Sequence, residues 1–180
     1  RTKLAIEGMK ALHDRVDTMI VIPNDNIFKL ADLSTPVTDA YSLADDVCLA
    51  GVKSITDLMI KPGRINLDFA DVRTVMKDMG NAIMGTGQSE GEERAVNATT
   101  DALRNPLLGG DMSIRSAKGV LVNVTSGNDF TLGEWQQVTD KIISEVEDED
   151  AAVIMGHSID TGMDGSVRVS IVATGIDQPE

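Results

Sequence analysis

Hydrophobic residues recur along this chain at two different spacings, which together predict alternating helices and strands. Between Pro36 and Ile60 they fall at intervals of three and four, which places one apolar stripe on a helix. A helix of that length spans about 36 Å, the width of a domain. Thr35 and Pro36 are expected to open it, with proline at the first helical position, and Lys61 to Gly63 to close it. The stripe consists of Val37, Tyr41, Ala44, Val47, Cys48, Val52, Ile55, Leu58 and Met59.

Shorter patterns predict the elements before this helix. Residues 2–15 carry apolar positions at helical spacing. The run from Thr18 to Ile22 is apolar and β-branched throughout, which predicts a buried strand covered on both faces. Asn24 or Asp25 is expected to cap a short helix that ends near Leu33. Because the chain starts inside a helix, we expect it to be the C-terminal portion of a larger protein. Its first sixty residues would then belong to a sheet whose other strands are missing.

Helices and strands continue to alternate after the long helix, which predicts an α/β fold. The turn at 161–165 contains an Asp-Gly pair, which favours a hairpin between the last two strands and makes them antiparallel. The expected elements are a helix over 69–80, a short strand over 82–86, a helix from a Ser89–Glu92 capping box to about Asn105, a strand over 120–125, a helix from a Thr131–Glu134 capping box to about Val146, and strands over 152–155 and 167–173.

Composition narrows the classes of partner. With 42% hydrophobic and 25% charged residues the chain is typical of a globular protein, and no apolar run has the length of a membrane span, so direct membrane insertion is not expected. The formal net charge of −13 would repel a phosphate backbone, so nucleic acid is not an expected partner. The one cysteine, Cys48, lies in the apolar stripe and is expected to be a small buried hydrophobe, which suits a reducing cytosol. No cysteine–histidine cluster indicates a metal.

The segment from Gly63 to Asp71 is the strongest candidate for chemistry. It places Asn66, Asp68 and Asp71 where a helix begins. The spacing of three residues puts Asp68 and Asp71 on one side of the first turn. One interpretation is structural: an N-cap, and a carboxylate that complements the helix dipole. The other is that two carboxylates orient and polarise a water molecule for attack on a phosphoryl group.

Other candidates have simpler interpretations. The glycine-rich segment 85–91 resembles a phosphate cradle but lacks the P-loop lysine and carries several glutamates, so we interpret it as a turn from a strand into a capped helix. His13 and His157 have no nucleophile motif around them and are expected to be surface or structural residues. Packing is the expected role of Trp135.

Six segments of the chain resemble the FtsZ family, the bacterial tubulin-like GTPases of cell division, in the order in which that family has them. The resemblance extends from Arg1 to about Ile176. The segments are VDTMIVIPND (16–25), TDAYSLADDV (38–47), INLDFADVR (65–73), NAIMGTG (81–87), NPLL (105–108) and SIVATGI (170–176).

The resemblance implies a particular fold. We expect a tubulin/FtsZ-type C-terminal domain whose four-stranded mixed sheet packs with helices, preceded by the long core helix and by a remnant strand of a missing nucleotide-binding domain. The implied parts are the end of the GTP-binding domain (1–35), the core helix (36–60), the catalytic or synergy loop (61–71), the C-terminal domain (72–177) and the start of a tail (178–180).

The resemblance also implies a partial guanine-nucleotide site. Arg1 matches an arginine on the phosphate and ribose side, Tyr41 the aromatic residue that packs on guanine, and Asp45 the residue that reads the guanine edge. The family often has phenylalanine where this chain has Tyr41, and either ring keeps the stacking surface. The family's glycine-rich signature GGGTGTG is not in this sequence.

By the same resemblance, Asn66, Asp68 and Asp71 enter the GTP site of the next subunit in a head-to-tail filament in the cytoplasm, at the mid-cell division ring. GTP or GDP with Mg²⁺ is the implied ligand of the intact protein. The chain alone is expected neither to bind GTP tightly nor to hydrolyse it. The alternative is a non-catalytic module of the same fold that caps or modulates filaments. Division regulators are further candidate partners.

Overall fold

A computed structural model describes residues 2–22, 34–61, 63, 65, 67–106 and 114–176. Helices and strands alternate along this part of the chain, as the α/β prediction requires. The elements are α1 (Thr2–His13), β1 (Thr18–Ile20), α2 (Val37–Ile60), α3 (Phe69–Met76), β2 (Gly80–Glu90), α4 (Arg94–Leu103), β3 (Gly119–Ser126), α5 (Leu132–Glu145), β4 (Ala152–Ile159) and β5 (Ser166–Thr174), with single 3₁₀ turns at Ile114–Ser116 and Thr161–Met163.

All five strands form one mixed sheet in the order β1-β2-β5-β3-β4. β1 runs parallel to β2, and β4 runs parallel to β3, whereas β5 lies between β2 and β3 and is antiparallel to both. The predicted hairpin between the last two strands is therefore wrong. β4 and β5 do run in opposite directions, but β3 separates them. The Asp-Gly turn instead follows a 3₁₀ turn capped by Asp160, with Gly165 at φ +81°.

The position of β1 corrects the expected number of strands. The four-stranded sheet implied for the C-terminal domain is present, but β1 joins it as a fifth strand through the pairs Thr18–Gly80 and Ile20–Ala82. The segment that contains β1 therefore belongs to the same sheet as the other four described strands. It is also only half-buried, because β1 is an edge strand and not a strand covered on both faces. The short helix expected before Leu33 lies outside the described residues.

Two hydrophobic layers cover the two faces of the sheet. On one face α4 and α5 bury three alanines of α4 together with Val138 and Ile142 against the valines of β3 and β5. On the other face Leu58 of α2 and Val72 and Val75 of α3 pack on Met84 and Leu121. Alternation along β3 sends successive residues to opposite faces, so one strand supplies both layers.

The long helix α2 is present as predicted, although it starts at Val37, with Pro36 as its N-cap residue. Among the stripe residues whose side chains are described, only Leu58, near the C-terminal end, is buried, where it meets the sheet. Further towards the N-terminus, Tyr41 and Val52 are exposed. Cys48 is exposed as well, so the expectation of a buried cysteine is wrong. Helical spacing predicts an apolar face, but the described residues cover only part of it.

Two capping boxes with the same sequence signature have different outcomes. Thr131 and Glu134 do cap α5: the Glu134 N–H donates to Thr131 Oγ1 at 3.2 Å, and the Thr131 N–H donates to Glu134 Oε2 at 2.8 Å. Ser89 instead lies within β2, opposite Val167, and α4 begins at Arg94 without a side-chain cap. The prediction of a Ser89–Glu92 box is wrong because strand pairing holds Ser89 in extended backbone.

The glycine-rich segment 85–91 is mostly strand and not a turn. β2 runs for eleven residues to Glu90, well beyond the predicted 82–86. Conversely, α3 ends at Met76 and does not continue to Gly80, because Lys77 is extended and Asp78 adopts φ +58°. Gly87 lets α4 approach β2 closely, since a Cβ there would lie 2.2 Å from the Ala98 carbonyl oxygen. In the described part of the chain, no helix has both the length and the hydropathy to cross a bilayer.

Candidate functional site

Asp68 and Asp71 stand at the N-terminus of α3 and cap it reciprocally. The Asp71 N–H donates to Asp68 Oδ1 at 2.9 Å, and the Asp68 N–H donates to Asp71 Oδ2 at 3.1 Å. The structural interpretation of the pair, as N-cap and dipole partner, is therefore confirmed. Each carboxylate has two acceptor oxygens, so capping uses only part of its capacity. Asp68 is exposed and Asp71 partly exposed, which leaves room for a second acceptor role.

The loop before these carboxylates is attached to the outer edge of β4. The His157 N–H donates to the Ile65 carbonyl oxygen at 3.0 Å, which forms an isolated antiparallel bridge. Leu67 is half-buried and packs on the layer around Leu58. Both contacts fall immediately before Asp68. The third predicted loop residue, Asn66, lies outside the described residues.

The C-terminal end of α2 is tied to the same region by charge. Lys61 Nζ lies 3.0 Å from Asp57 Oδ2, one turn earlier, and 3.8 Å from Asp160 Oδ2 at the end of β4. All three side chains are partly exposed, so these pairs contribute little to stability. Their effect is to orient the start of the loop towards β4.

His157 lies beneath a cleft of about 270 Å³ beside the loop. Its ring is buried, with Nε2 2.8 Å from Ser126 Oγ. The Phe130 ring stacks on it at 5.2 Å, and the Trp135 ring meets it edge-on at 6.3 Å. These contacts agree with the structural role expected for His157 and the packing role expected for Trp135. The cleft opens between Ile65 and the exposed Leu132.

The residues predicted for the nucleotide site, Tyr41 and Asp45, are on α2, far from the loop. Tyr41 is 67% exposed, and Asp45 is also exposed one turn later, so the two side chains share a helix face. Ile60, the last residue of α2, follows Tyr41 by nineteen positions, which corresponds to about 29 Å along the helix axis. Arg1 lies outside the described residues. The structure thus brings Asp68 and Asp71 together, and separately Tyr41 and Asp45.

An ion-pair network around the buried Arg94 links α4 to the start of α5. Arg94 Nε and Nη1 lie 2.6 Å from Glu134 Oε1 and Asp129 Oδ2, respectively. Asp129 Oδ2 also accepts from the Gly165 N–H at 3.0 Å. The hydrogen bonds from Arg94 lower the pKa of both carboxyls below their ordinary values, and the two carboxylates in turn raise the pKa of Arg94. This network, which the sequence did not reveal, connects the starts of α4 and α5 with the turn before β5.

Among the described residues, no three His, Cys, Asp or Glu side chains converge in a way that could hold a metal ion. The densest acidic segment, 145–150, pairs in part with Arg115 through Glu145 and Glu147. Most of the segment follows the end of α5, and its residues 147–150 are exposed. The described part of the chain therefore offers two candidate sets, the loop carboxylates and the pair on α2.

Residues 80–177 match the model of the FtsZ family, C-terminal domain. The chain belongs to the FtsZ family. The cell division protein FtsZ of Wolbachia pipientis is 49% identical over 177 residues, which are 98% of this chain and 56% of that protein. The FtsZ of Rickettsia conorii is 50% identical over 98% of this chain, but this covers only 39% of its own length. The chain thus spans about half or less of these FtsZ proteins.

Solved structures give the same family and a wider fold class. A variant of FtsZ from M. jannaschii superposes with a TM-score of 0.89 at 39% identity, over 98% of this chain and 52% of that one. TubZ of Bacillus thuringiensis superposes with a TM-score of 0.73 at 11% identity, over 91% of this chain and 42% of that one, which shows a shared fold. The fold is therefore that of the FtsZ and tubulin-like C-terminal domain. The division into five parts at residues 35, 60, 71 and 177 stays a prediction.

Proposed function

We propose that this chain forms the C-terminal half of a filament-forming GTPase and supplies its loop carboxylates to the GTP site of a neighbouring subunit. Asp68 and Asp71 would orient and polarise the attacking water, and Asn66 would contribute to the same contact. Family membership supports the class of protein. The observation that carries the shared site is the separation of the two candidate sets by most of the length of α2.

This separation matters because a catalytic group must lie within hydrogen-bond reach of the proton that it moves. About 29 Å of helix lies between Tyr41 and the end of α2, so one subunit cannot bring its own loop to a nucleotide held at Tyr41. A second subunit stacked head to tail can do so. Such a contact uses two different surfaces and therefore propagates into a filament.

The geometry of the loop suits the proposed role. Capping fixes both carboxylates at the positive end of a helix, and their remaining oxygens can accept hydrogen bonds from water. A preorganised acceptor needs little reorganisation when the water attacks. Mg²⁺, when bound with the nucleotide, neutralises phosphate charge that would otherwise oppose the two carboxylates.

Residues on α2 fit one edge of a guanine nucleotide. Tyr41 offers an accessible ring face for stacking, and Asp45 can accept from the ring N–H and the exocyclic amine. Arg1 is proposed for the phosphate and ribose side. These three groups form only part of a site, so we expect this chain alone to bind GTP weakly and to show no turnover.

The surface around the loop is suited to a protein partner. Leu132 is 81% exposed beside Ile65, and Phe69 is 68% exposed next to Asp68. Exposed apolar side chains next to polar groups are typical of a protein interface, in which an apolar centre is bordered by polar residues. A solved FtsZ dimer from M. jannaschii, with a TM-score of 0.87 and 39% identity, supports self-association in the family. The proposed location is the cytoplasmic division ring, with division regulators as candidate partners.

One observation favours the alternative function, a non-catalytic module that caps or modulates filaments. Asp68 and Asp71 already satisfy each other's backbone N–H groups without a partner, so their presence has a structural reason. On this alternative the chain would occupy the nucleotide face of a filament end without accelerating hydrolysis.

The deciding experiment measures GTP hydrolysis by a full-length FtsZ-family protein whose own two loop aspartates are replaced by alanine, with and without this chain. We expect added chain to restore turnover. Asp71→Asn is the sharpest variant, because the amide oxygen can still accept from the Asp68 N–H while the negative charge is lost. Asp140→Asn, at an exposed position on α5, is the matched control.

Restored turnover that Asp71→Asn abolishes and Asp140→Asn retains would support the shared site. Binding without any turnover would refute the catalytic role and leave the capping module. Ordinary turnover by this chain alone would contradict the proposal that its nucleotide site is incomplete.

A further inference from the structure

Leu67 directly precedes Asp68 in the sequence, and its side chain packs on Gly156 of β4, a position without a side chain. A Cβ on Gly156 would lie 3.2 Å from Leu67 Cδ1 and only 2.4 Å from Leu58 Cδ2. Glycine at this position therefore leaves the hollow in which both leucines pack. Leu58 belongs to α2 and is buried, so the hollow joins the core helix, the loop and the sheet.

The backbone on the other side of position 66 is held by the same strand. The Ile65 carbonyl oxygen accepts from the N–H of His157, the residue that follows Gly156. Consecutive residues of β4 thus bind the two residues that flank position 66. We call Gly156, His157 and Leu58 the loop seat.

The loop seat is itself fixed on the sheet. His157 is buried, hydrogen-bonded to Ser126 of β3 and stacked against Phe130. The register Asn123–Gly156 and Val124–His157 continues the parallel pairing of β3 with β4. A well-packed support of this kind can fix the position of the loop residues that contact it.

The first turn of α3, which carries the carboxylates, makes few contacts of its own with the sheet. Phe69 and Ala70 are exposed, and the first buried residue after the carboxylates is Val72. Reciprocal capping fixes Asp68 and Asp71 to the start of α3, which Val72 and Val75 hold on the sheet from the C-terminal side. The contacts of Leu67 and Ile65 add a constraint from the N-terminal side.

We propose that Leu67 is a positioning residue, which holds Asp68 and Asp71 in their working place by packing in the loop seat. This inference rests on the proposed function of the two carboxylates. It assigns no contact with nucleotide or water to Leu67. A displacement of about 1 Å at a reacting group can cost about 100-fold in rate, so an apolar anchor adjacent to Asp68 has a large effect on catalysis.

The test compares Leu67→Ala with Leu67→Met and with the matched control Leu103→Ala. Leu103 is also half-buried, but it packs in the layer on the opposite face of the sheet. The first measurement is amide hydrogen exchange at His157, whose N–H binds the Ile65 carbonyl. We expect exchange at His157 to accelerate about tenfold in Leu67→Ala, as local opening becomes easier, and to stay near the parent rate in the other two variants.

The second measurement is the turnover restored to the loop-disabled partner, at saturating chain. We expect Leu67→Ala to lower the maximal rate by about 10- to 100-fold while the concentration for half-maximal effect changes less than about threefold. Leu67→Met keeps the volume and should restore the rate. A purely structural loss would lower the rate equally in Leu103→Ala.

The two measurements separate the inference from the proposed function. Unchanged exchange at His157 in Leu67→Ala would overturn the loop seat, whatever the turnover. Faster exchange with an unchanged maximal rate would overturn the positioning role. If the parent chain restores no turnover, the shared site fails, and without catalysis by the carboxylates the positioning role fails with it, while the exchange result still decides whether Leu67 anchors the loop.

Discussion

Replacing Gly87 with alanine tests how closely α4 rests on the sheet. The added Cβ would lie 2.2 Å from the Ala98 carbonyl oxygen and 2.5 Å from the Ala102 nitrogen, where ordinary contacts begin at 3.4 Å. Both neighbours are main-chain atoms of α4, so no side-chain rotation relieves the overlap. The helix must move away from β2 by about 1 Å, which loosens the contacts of Ala95, Ala98 and Ala102 with the core.

Insertion of a methyl group into a well-packed core typically costs about 1–3 kcal/mol, and more when backbone must move. We therefore expect Gly87→Ala to lower the free energy of unfolding by about 3 kcal/mol. For a chain of this size that corresponds to a fall in melting temperature of about 6–12 °C. The stability is measured by urea denaturation, followed by far-UV circular dichroism and by the fluorescence of Trp135, the one tryptophan in the chain.

The matched control is Gly8→Ala in α1, where an added Cβ meets no atom within 4 Å. Alanine is the better helix former, so this variant should match the parent or gain up to about 1 kcal/mol. If Gly87→Ala unfolds within about 0.5 kcal/mol of the parent, the close approach of α4 to β2 is refuted. The glycine-rich segment would then need another explanation.

Two further predictions concern charge and exposure. The ion pairs with Arg94 lower the pKa of Glu134 and Asp129 below their ordinary values of 4.5 and 3.8. The two ion pairs therefore stabilise the folded protein fully when the pH is above these ordinary pKa values. This stabilisation is lost as the pH falls through the lowered pKa values of the folded protein. Arg94→Met should therefore flatten the fall of the urea midpoint from about pH 5 to about pH 3, and an equally steep fall in this variant would contradict the role of the network. Cys48 is exposed, so we expect a thiol reagent to titrate one equivalent per chain without denaturant. If the thiol reacts only in urea, the exposed face of α2 is covered in solution.

Short-range sequence patterns predicted the helices and strands better than they predicted which strands pair with each other. The long helix and the Thr131–Glu134 capping box depend on residues a few positions apart, and both are confirmed. Ser89 carries the same capping signature, but pairing with β5 holds it in a strand. The insertion of β5 between β2 and β3 likewise depends on partners far away in the sequence, which short-range patterns do not contain.

In the candidate site, too, features that depend on nearby residues were predicted and features that depend on distant residues were not. The spacing of Asp68 and Asp71 was enough to place both carboxylates at one helix start, and reciprocal capping confirms that placement. Nothing near Leu67 in the sequence indicated that it packs over Gly156, because the hollow is formed by a strand much later in the chain. An apolar residue between polar loop residues, and a glycine within an apolar strand, were the available signals. Exposure of Cys48 was not predictable either, because an apolar stripe does not reveal what covers it.

The two edges of the sheet differ in how they are protected against other strands. Unpaired N–H and C=O groups along an edge can template aggregation. β1 is only three residues long and offers few such groups, whereas β4 has eight residues and its outer edge at His157 is capped by Ile65. The loop that carries the carboxylates therefore also covers part of the edge of β4 and hinders the pairing of another strand there. A sequence change that detaches this loop would lower the solubility of the protein by exposing a template for strand addition.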